Sequence, residues 1–290
     1  YAKEYSQALA QAYPYTLYFG ALWSATKPDV KFLNNNTVIL PSLTVKGRSN
    51  GDRDTIGSFA RNFNNAEESK TLKTHRTWNT LVHPRDIDET NHVASIQNIT
   101  KVMNEEQKFP EMDAEMITAL YSLKNALEAV SEDDVLTAAN VLTKFDKMMD
   151  KMDEKRVPGS GRLLYVDTYT KTLIDTAKDV VRTSGNSVLG RTVSRIDEVE
   201  VINVPTSAMK SKFNLKADDG FEVAADAKAV KMMLIHPSVV IPVITYDFAE
   251  LGLPSALSQG KYTYFEESFE DVFIYNKKHD AIQFYIEKQS

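Results

Sequence analysis

Three short segments and the helix that follows them organise this chain. They read Asp86-Ile-Asp-Glu-Thr-Asn91, Ser95-Ile-Gln-Asn-Ile-Thr100 and Asn104-Glu-Glu-Gln-Lys-Phe-Pro-Glu-Met-Asp113. Pro110 suits a first helical turn, where its missing amide hydrogen is not needed. Glu111 and Asp113 suit the positive end of the helix dipole. The pattern therefore predicts a long helix over Pro110–Val130.

The apolar residues of this helix recur at steps of three and four, which places them on one face. They are Met112, Met116, Leu120, Leu123, Leu127 and Val130. Lys124 lies off this stripe, so we expect its truncation to be nearly silent. At 1.5 Å per residue the helix is roughly 30 Å long, which makes it a spine for its domain.

Composition narrows the class of protein. The chain has 290 residues, 42% of them hydrophobic, which allows one large domain or two. Its net charge is −6, with basic and acidic residues well mixed, which argues against a protein whose main task is to grip nucleic acid. The chain has no cysteine, so disulfides and thiolate metal sites are excluded. No apolar run is long enough to cross a membrane.

A strand is predicted at Thr37–Lys46 and a returning strand at Thr71–Val82. Between them lies Gly47–Lys70, a loop of a length that is unusual in a compact domain. This loop carries the apolar residues Ile56, Phe59 and Phe63. We interpret it as an extended flap whose apolar side chains are buried on another surface.

The first thirty residues are rich in tyrosine and alanine and show weak periodicity. They either form an arm packed on their own domain or lie on a neighbouring subunit, and the sequence leaves both open. Further along, Ser131 and Asp134 have the spacing of a capping box, which predicts a second amphipathic helix from there. Helices and strands are mixed without a repeating alternation, which indicates an α+β chain.

The densest set of possible metal ligands lies near the start of the organising stretch. It consists of His83, Asp86, Asp88, Glu89 and His92. Such residues can bind a metal ion, but Asp and Asn are also the residues that cap helices, and we favour the cap.

Two other segments carry residue types that occur in phosphate-binding loops or catalytic pairs. Pro158–Arg162 lacks the spacing of a phosphate-binding loop. The acids Glu266, Glu267 and Asp271 have a spacing that fits a polar strand edge better than a catalytic pair. We therefore expect no enzyme activity, no cofactor and no metal site.

The segments quoted above, together with Glu266-Glu-Ser-Phe-Glu-Asp-Val-Phe-Ile-Tyr-Asn-Lys-Lys278, resemble the major capsid proteins of tailed phages of Gram-positive bacteria, which have the Hong Kong 97-like capsid fold. The resemblance implies an α+β subunit with five parts. These are an N-terminal arm at 1–36, an extended β-hairpin loop at 37–82, a peripheral domain with the spine helix at 83–130, an axial domain at 131–254 and a return to the peripheral domain at 255–290.

The resemblance further implies a structural subunit that self-assembles into pentamers and hexamers and encloses double-stranded DNA without sequence-specific binding. A scaffolding protein and a portal are the expected partners, and the location is the virion capsid, assembled in the host bacterial cytoplasm. The residues expected to contact neighbouring subunits are Tyr13, Trp23, Arg48, Arg53, Ile56, Phe59, Arg61 and Phe63.

Two alternatives stay open at this point. One is a cytosolic α+β enzyme that uses His83, Asp86, Asp88 and His92, with the Gly47–Lys70 loop as a lid over the site. The other is a shell of the same fold that encloses cargo enzymes instead of DNA.

Overall fold

The computed structural model describes most of the chain. The described residues are 15–25, 31–34, 37–48, 61–90, 95–177, 195–196, 198–217 and 220–288. Within them the helices are α1 Gly20–Trp23, α2 Pro84–Glu89, α3 Ile96–Met103, α4 Phe109–Leu127, α5 Val141–Glu154 and α6 Thr168–Thr176. None of these helices is long and apolar enough to span a lipid bilayer.

The strands of the described residues fall into four sheets. In chain order they are β1 Lys31–Asn34, β2 Thr37–Val45, β3 Phe63–Thr71, β4 His75–Val82, β5 Glu132–Asp133, β6 Leu163–Asp167, β7 Arg195–Ile196, β8 Val199–Val204, β9 Phe213–Leu215, β10 Phe221–Val223, β11 Val230–Ile235, β12 Val240–Gly252, β13 Tyr262–Ile274 and β14 Ile282–Glu287. The sheet orders are β1-β2-β3, β10-β9, β5-β14-β11-β6-β8-β7 and β12-β13-β4.

The six-stranded sheet is covered on both faces. Leu164 and Val166 of β6 pack with α5 and α6, whereas Tyr165 packs with α4 and with Phe19 of the N-terminal segment. Every residue of β6 is buried, as expected for a central strand with helices on both sides. This sheet is the main core of the molecule.

Helix α4 also contacts β13, in the middle of the three-stranded sheet β12-β13-β4. Strands β12 and β13 run antiparallel over almost their whole length. The face of the β2–β3 hairpin that carries Val38 and Leu40 packs on Ile241 and Phe273 at the inner end of these strands. The hairpin is therefore anchored at its base.

The long helix begins earlier than the sequence predicts. Helix α3 runs into a π-helical turn, Asn104–Lys108, and then into α4 without leaving helical backbone geometry. Ser95 caps the start by accepting a hydrogen bond from the amide of Asn98. We call the whole helix, residues 96–127, the spine helix. Pro110 is tolerated inside it because the wider π turn just before it disturbs the usual hydrogen-bond ladder.

The buried face of the spine helix is rotated from the predicted stripe. The fully buried side chains of α4 are Asp113, Ala114, Met116, Ile117, Leu120 and Lys124. Met112 and Leu123 are only partly buried, and Leu127 is 43% exposed. The expected position of Lys124 off the buried face is wrong, because its side chain is 4% exposed and pairs with Glu128. An apolar-only pattern cannot detect a face that includes buried charges.

The strand that returns from β2 is β3, Phe63–Thr71, and not Thr71–Val82. Strand β4, which covers most of the predicted segment, pairs with β13 in another sheet. Strand β3 is polar and mostly exposed, so it lacks the apolar alternation by which a strand is recognised. The connection between the two hairpin strands is therefore shorter than the predicted Gly47–Lys70 loop.

Two strands also pair outside the parts to which the resemblance assigned them. Strand β14 was placed in the return to the peripheral domain, but it pairs with β11 and β5 in the six-stranded sheet. Strand β12 was placed in the axial domain, but it pairs with β13 in the three-stranded sheet. The predicted boundaries at 254 and 255 therefore fall inside the turn of one long hairpin.

The capping box at Ser131 and Asp134 is not formed. Glu132–Asp133 pairs as a short strand with β14, and the helix begins only at Val141. By contrast, the sequence Val199–Val204 predicts a strand that ends before Pro205, and β8 has these bounds.

Candidate functional site

The β2–β3 hairpin has an apolar patch that its own chain leaves exposed. Val45 and Phe63 are directly paired across the hairpin and so share one face, with Leu43 two residues along the same strand. Their exposed fractions are 61% for Leu43, 74% for Val45 and 50% for Phe63. We call these three residues the hairpin patch. Its exposure contrasts with the buried base of the same hairpin.

Cations surround the hairpin patch. Arg61 lies over the ring of Phe63, with 4.6 Å between the guanidinium carbon and the ring centre. Lys46 and Arg48 follow β2 and are exposed. The expected contact residues Tyr13, Arg53, Ile56 and Phe59 lie outside the described residues. The described part of this surface is therefore apolar with a positive rim.

A second exposed apolar region lies at the outer end of the β12–β13 hairpin. Leu251 is 51% exposed, Leu253 is 69% exposed and Leu257 is 98% exposed. Leu251 and Tyr264 also line an open groove of about 500 Å³ against α3, together with Phe109. Sequence reasoning missed this region, although a leucine in a turn beside Pro254 was a visible signal.

The N-terminal segment 15–25 is bound to its own spine helix. The Asp113 carboxylate accepts hydrogen bonds from the Tyr15 hydroxyl at 2.9 Å and from the amides of Tyr18 and Phe19 at 2.9 and 3.0 Å. Trp23 is 7% exposed and lies in the main core. Its expected role in contacting a neighbouring subunit is therefore not supported, and this part of the arm packs on its own chain.

Burial raises the pKa of Asp113 to about 6, although its three hydrogen bonds act in the opposite direction. Sequence reasoning assigned Asp113 only to the helix dipole. An acid within an otherwise apolar helix face was the signal for a buried anchor.

Charged pairs fix the spine helix on the three-stranded sheet. Arg76 of β4 donates two hydrogen bonds to Glu111, from Nε at 2.6 Å and from Nη2 at 2.9 Å. Lys108 lies 3.2 Å from Glu266 of β13. Each pair joins a helix residue to a strand residue, so together they define the position of the helix across the sheet.

The same contact between helix and sheet contains a group of acids, of which Glu270 is buried and Glu115 and Asp271 are partly buried. Burial raises the pKa of Glu115 to about 8, and the nearby Asp271, Glu270 and Glu111 add to that effect. Burial also raises the pKa of Glu270 and of Asp271. Asp271 accepts hydrogen bonds from the amides of Lys73 and Thr74, so it shapes the chain between β3 and β4.

The suspected metal cluster of the sequence is not brought together in the described part of the chain. His83 caps α2 by accepting a hydrogen bond from the amide of Arg85. Asp86 and Asp88 are exposed on that helix, and among the described side chains they form no group with metal-ligand spacing. His92 lies outside the described residues. The expected cap by an aspartate or asparagine is not found in the described part of this stretch, because Asp86 and Asp88 lie inside α2, His83 caps that helix and Ser95 caps the next one.

The other segments weighed for chemistry have structural roles. Arg162 is buried and uses its donors on Asp153 and on the carbonyls of Val157 and Pro158, so it is not free to bind a phosphate. Glu267 pairs with His75 on the neighbouring strand β4. These contacts stabilise the fold. Because Glu267 is paired with His75, it does not form a catalytic pair with a neighbouring acid.

Comparison with known proteins shows what the whole chain is similar to. No family model and no curated protein sequence matches it. A solved structure described as the capsid structure of the Cyanophage P-SCSP1u matches with a TM-score of 0.71 and 11% identity, over 100% of this chain and 94% of that one. The asymmetric unit of the bacteriophage PhiM1 mature capsid matches with a TM-score of 0.64 and 13% identity, over 88% and 83%.

A structure from Gordonia phage Cozz matches with a TM-score of 0.62 and 13% identity, over 100% of this chain and 92% of that one. Likeness over nearly the whole length of both chains at such low identity shows a shared fold. It confirms the fold class that the sequence resemblance implied.

Proposed function

We propose that this chain, an α+β protein with the Hong Kong 97-like fold, is the major structural subunit of an icosahedral phage capsid. The observation that carries the proposal is the hairpin patch of Leu43, Val45 and Phe63. An anchored hairpin that exposes a paired apolar face needs a surface on another molecule to cover it.

The neighbouring molecule is a second copy of the same chain. A closed shell repeats one heterologous contact around rings, so each subunit must offer a projecting element and an accepting surface. The cations Lys46, Arg48 and Arg61 beside the hairpin patch fit a neighbour with acids at the rim of its accepting surface. Arg53, Ile56 and Phe59 extend the same contact.

The larger assembly follows the same proposal. Subunits form pentamers and hexamers, a scaffolding protein and a portal take part, and assembly occurs in the host bacterial cytoplasm before the subunit becomes part of the virion. The shell encloses double-stranded DNA without sequence-specific binding. A net charge of −6 supports this point, because an acidic wall does not hold packed DNA to itself.

The enzyme alternative has less support. It required His83, Asp86, Asp88 and His92 to form one site, but His83 caps a helix, and Asp86 and Asp88 face solvent. No described feature favours it.

The first test measures the assembly state of the purified protein. The purified protein, with a scaffolding protein added where needed, should elute as megadalton particles on gel filtration and appear as closed shells in negative-stain micrographs. A stable monomer or dimer under all these conditions would contradict the proposal.

A pair of variants tests the hairpin patch directly. Changing Leu43, Val45 and Phe63 together to serine should abolish shells while leaving the unfolding midpoint of the subunit nearly unchanged. Each of these side chains is worth roughly 1.5–3 kcal/mol when fully buried at a contact. The matched control changes Thr44 and Asn64, adjacent polar residues of the same hairpin, to alanine and should assemble normally. Normal shells from the serine variant would show that the hairpin patch makes no essential contact.

A further inference from the structure

Three potential metal ligands meet where the spine helix ends. Glu128 directly follows α4, and His279 and Asp280 lie in the 3₁₀ turn Asn276–Ala281 that leads into β14. One ligand atom of each residue lies within 4.8 Å of those of the other two. The fold thus places together residues that are far apart in sequence and that the sequence analysis did not single out.

The ring of His279 is oriented as a metal ligand would need. Its Nδ1 lies 2.8 Å from the carbonyl oxygen of Asn276. A carbonyl oxygen only accepts, so Nδ1 carries the hydrogen and the Nε2 of the neutral ring keeps its lone pair. That Nε2 lies 3.8 Å from Oδ1 of Asp280. Metal-binding histidines are commonly held this way, with the other ring nitrogen bonded to a backbone carbonyl.

Each carboxylate has one oxygen occupied by a lysine. Lys124 lies 2.5 Å from Oε2 of Glu128, and Lys155 lies 3.6 Å from Oδ2 of Asp280. Each carboxylate still offers an oxygen within 4.8 Å of the ligand atom of His279. The ammonium groups also repel a dication, and we therefore expect moderate rather than tight binding.

We propose that Glu128, His279 and Asp280 bind one divalent transition-metal ion, with Zn²⁺ as the best fit. One imidazole and two carboxylates are ligands that Zn²⁺ accepts, whereas Mg²⁺ and Ca²⁺ prefer oxygen ligands alone. Three protein ligands leave room for water on the ion. Bound there, the ion links the end of the spine helix to the turn that enters the six-stranded sheet. This site does not depend on the proposed function.

The test uses the full chain after treatment with a chelator and dialysis. Zn²⁺ should then bind at one ion per chain, measured by metal analysis after equilibrium dialysis, and should raise the melting temperature by a few degrees. Co²⁺ should give visible absorption bands as a spectroscopic probe. His279→Gln should weaken Zn²⁺ binding about tenfold or more and remove the Co²⁺ bands.

Two control variants test whether Zn²⁺ binds at other histidines of the chain. His75→Gln, at an exposed histidine paired with Glu267, and the double change His83→Gln with His92→Gln should bind Zn²⁺ as the unaltered chain does. Loss of binding in either control would overturn the proposal. So would unchanged Zn²⁺ binding in His279→Gln, whether or not the metal-free variant melts at a lower temperature, because the three residues would then form an ion-pair network only.

Discussion

Strand β6 and the outer half of the β2–β3 hairpin use apolar residues in opposite ways. Leu164 and Val166 of β6 are fully buried by helices of the same chain, whereas Leu43 and Val45 of β2 are more than half exposed. Both segments read as apolar strands in the sequence. The difference separates a part of the molecule that is covered within one chain from a part that, under the proposed function, a neighbouring subunit covers.

The largest expected effect comes from a charge placed in β6, and the same charge placed in the hairpin patch is its comparison. Leu164→Asp buries an unpaired carboxylate, which costs several kcal/mol, so we expect loss of the folded subunit. Leu43→Asp should change the free energy of unfolding by less than about 0.5 kcal/mol, because the site is exposed. Urea unfolding of both variants measures this. Similar destabilisation of the two would mean that the hairpin belongs to the subunit core.

The next effect concerns the anchor of the N-terminal segment. Asp113→Ala leaves the buried amides of Tyr18 and Phe19 without acceptors, and each unsatisfied group costs about 1–3 kcal/mol. We expect a loss of roughly 2–4 kcal/mol in the free energy of unfolding, measured by urea denaturation. Asp150→Ala, at an exposed acid of α5, is the control and should be nearly silent. If both variants lose equally little free energy of unfolding, the contact of segment 15–25 with the spine helix contributes little to the stability of the single chain. The segment would then resemble the hairpin patch and not β6.

A smaller effect is expected at Lys124. Its aliphatic stem is buried in the subunit, so Lys124→Ala should cost about 1–2 kcal/mol even though the ion pair with Glu128 adds little. Ser122→Ala, on the exposed side of the same helix, should be silent. Thermal unfolding monitored by circular dichroism measures both. A silent Lys124→Ala would favour the helix register expected from the sequence over the observed one.

The smallest effect is a pH dependence at the contact between the spine helix and the three-stranded sheet. The pKa of Glu115 is raised from 4.5 to about 8, so the folded state holds its proton where the unfolded state has lost it. Stability from this group therefore falls as pH rises from about 4.5 to about 8. Glu115→Gln should make the pH dependence of stability shallower without abolishing it, because Glu270 and Asp271 also have raised pKa values, and should stabilise the subunit at pH 8 by something of the order of 1 kcal/mol.

Urea midpoints across this pH range measure the effect. Glu105→Gln, at a partly buried acid on the π turn of the same helix, serves as the control and should keep the slope. An unchanged slope in Glu115→Gln would mean that Glu115 is ionised in the folded subunit throughout.

Much of the architecture was present in the sequence, because local periodicity reports which face of an element is covered. The strands β4 and β8 were found this way, although β4 was paired with the wrong strand. The hairpin patch was found only in part. Phe63 is among the predicted contact residues, but Leu43 and Val45 are predicted only as part of the strand Thr37–Lys46.

The sequence by itself determined that this is an α+β chain built around a long helix. It also predicted a flap whose apolar side chains are buried on another surface. Only the tertiary structure decided that β14 joins the six-stranded sheet, that Lys124 and Asp113 are buried, and that Glu128 meets His279 and Asp280. The physical reason is that periodicity encodes contacts within an element. Strand partners, buried charges and ligand groups depend on residues distant in the chain, and their proximity exists only after folding.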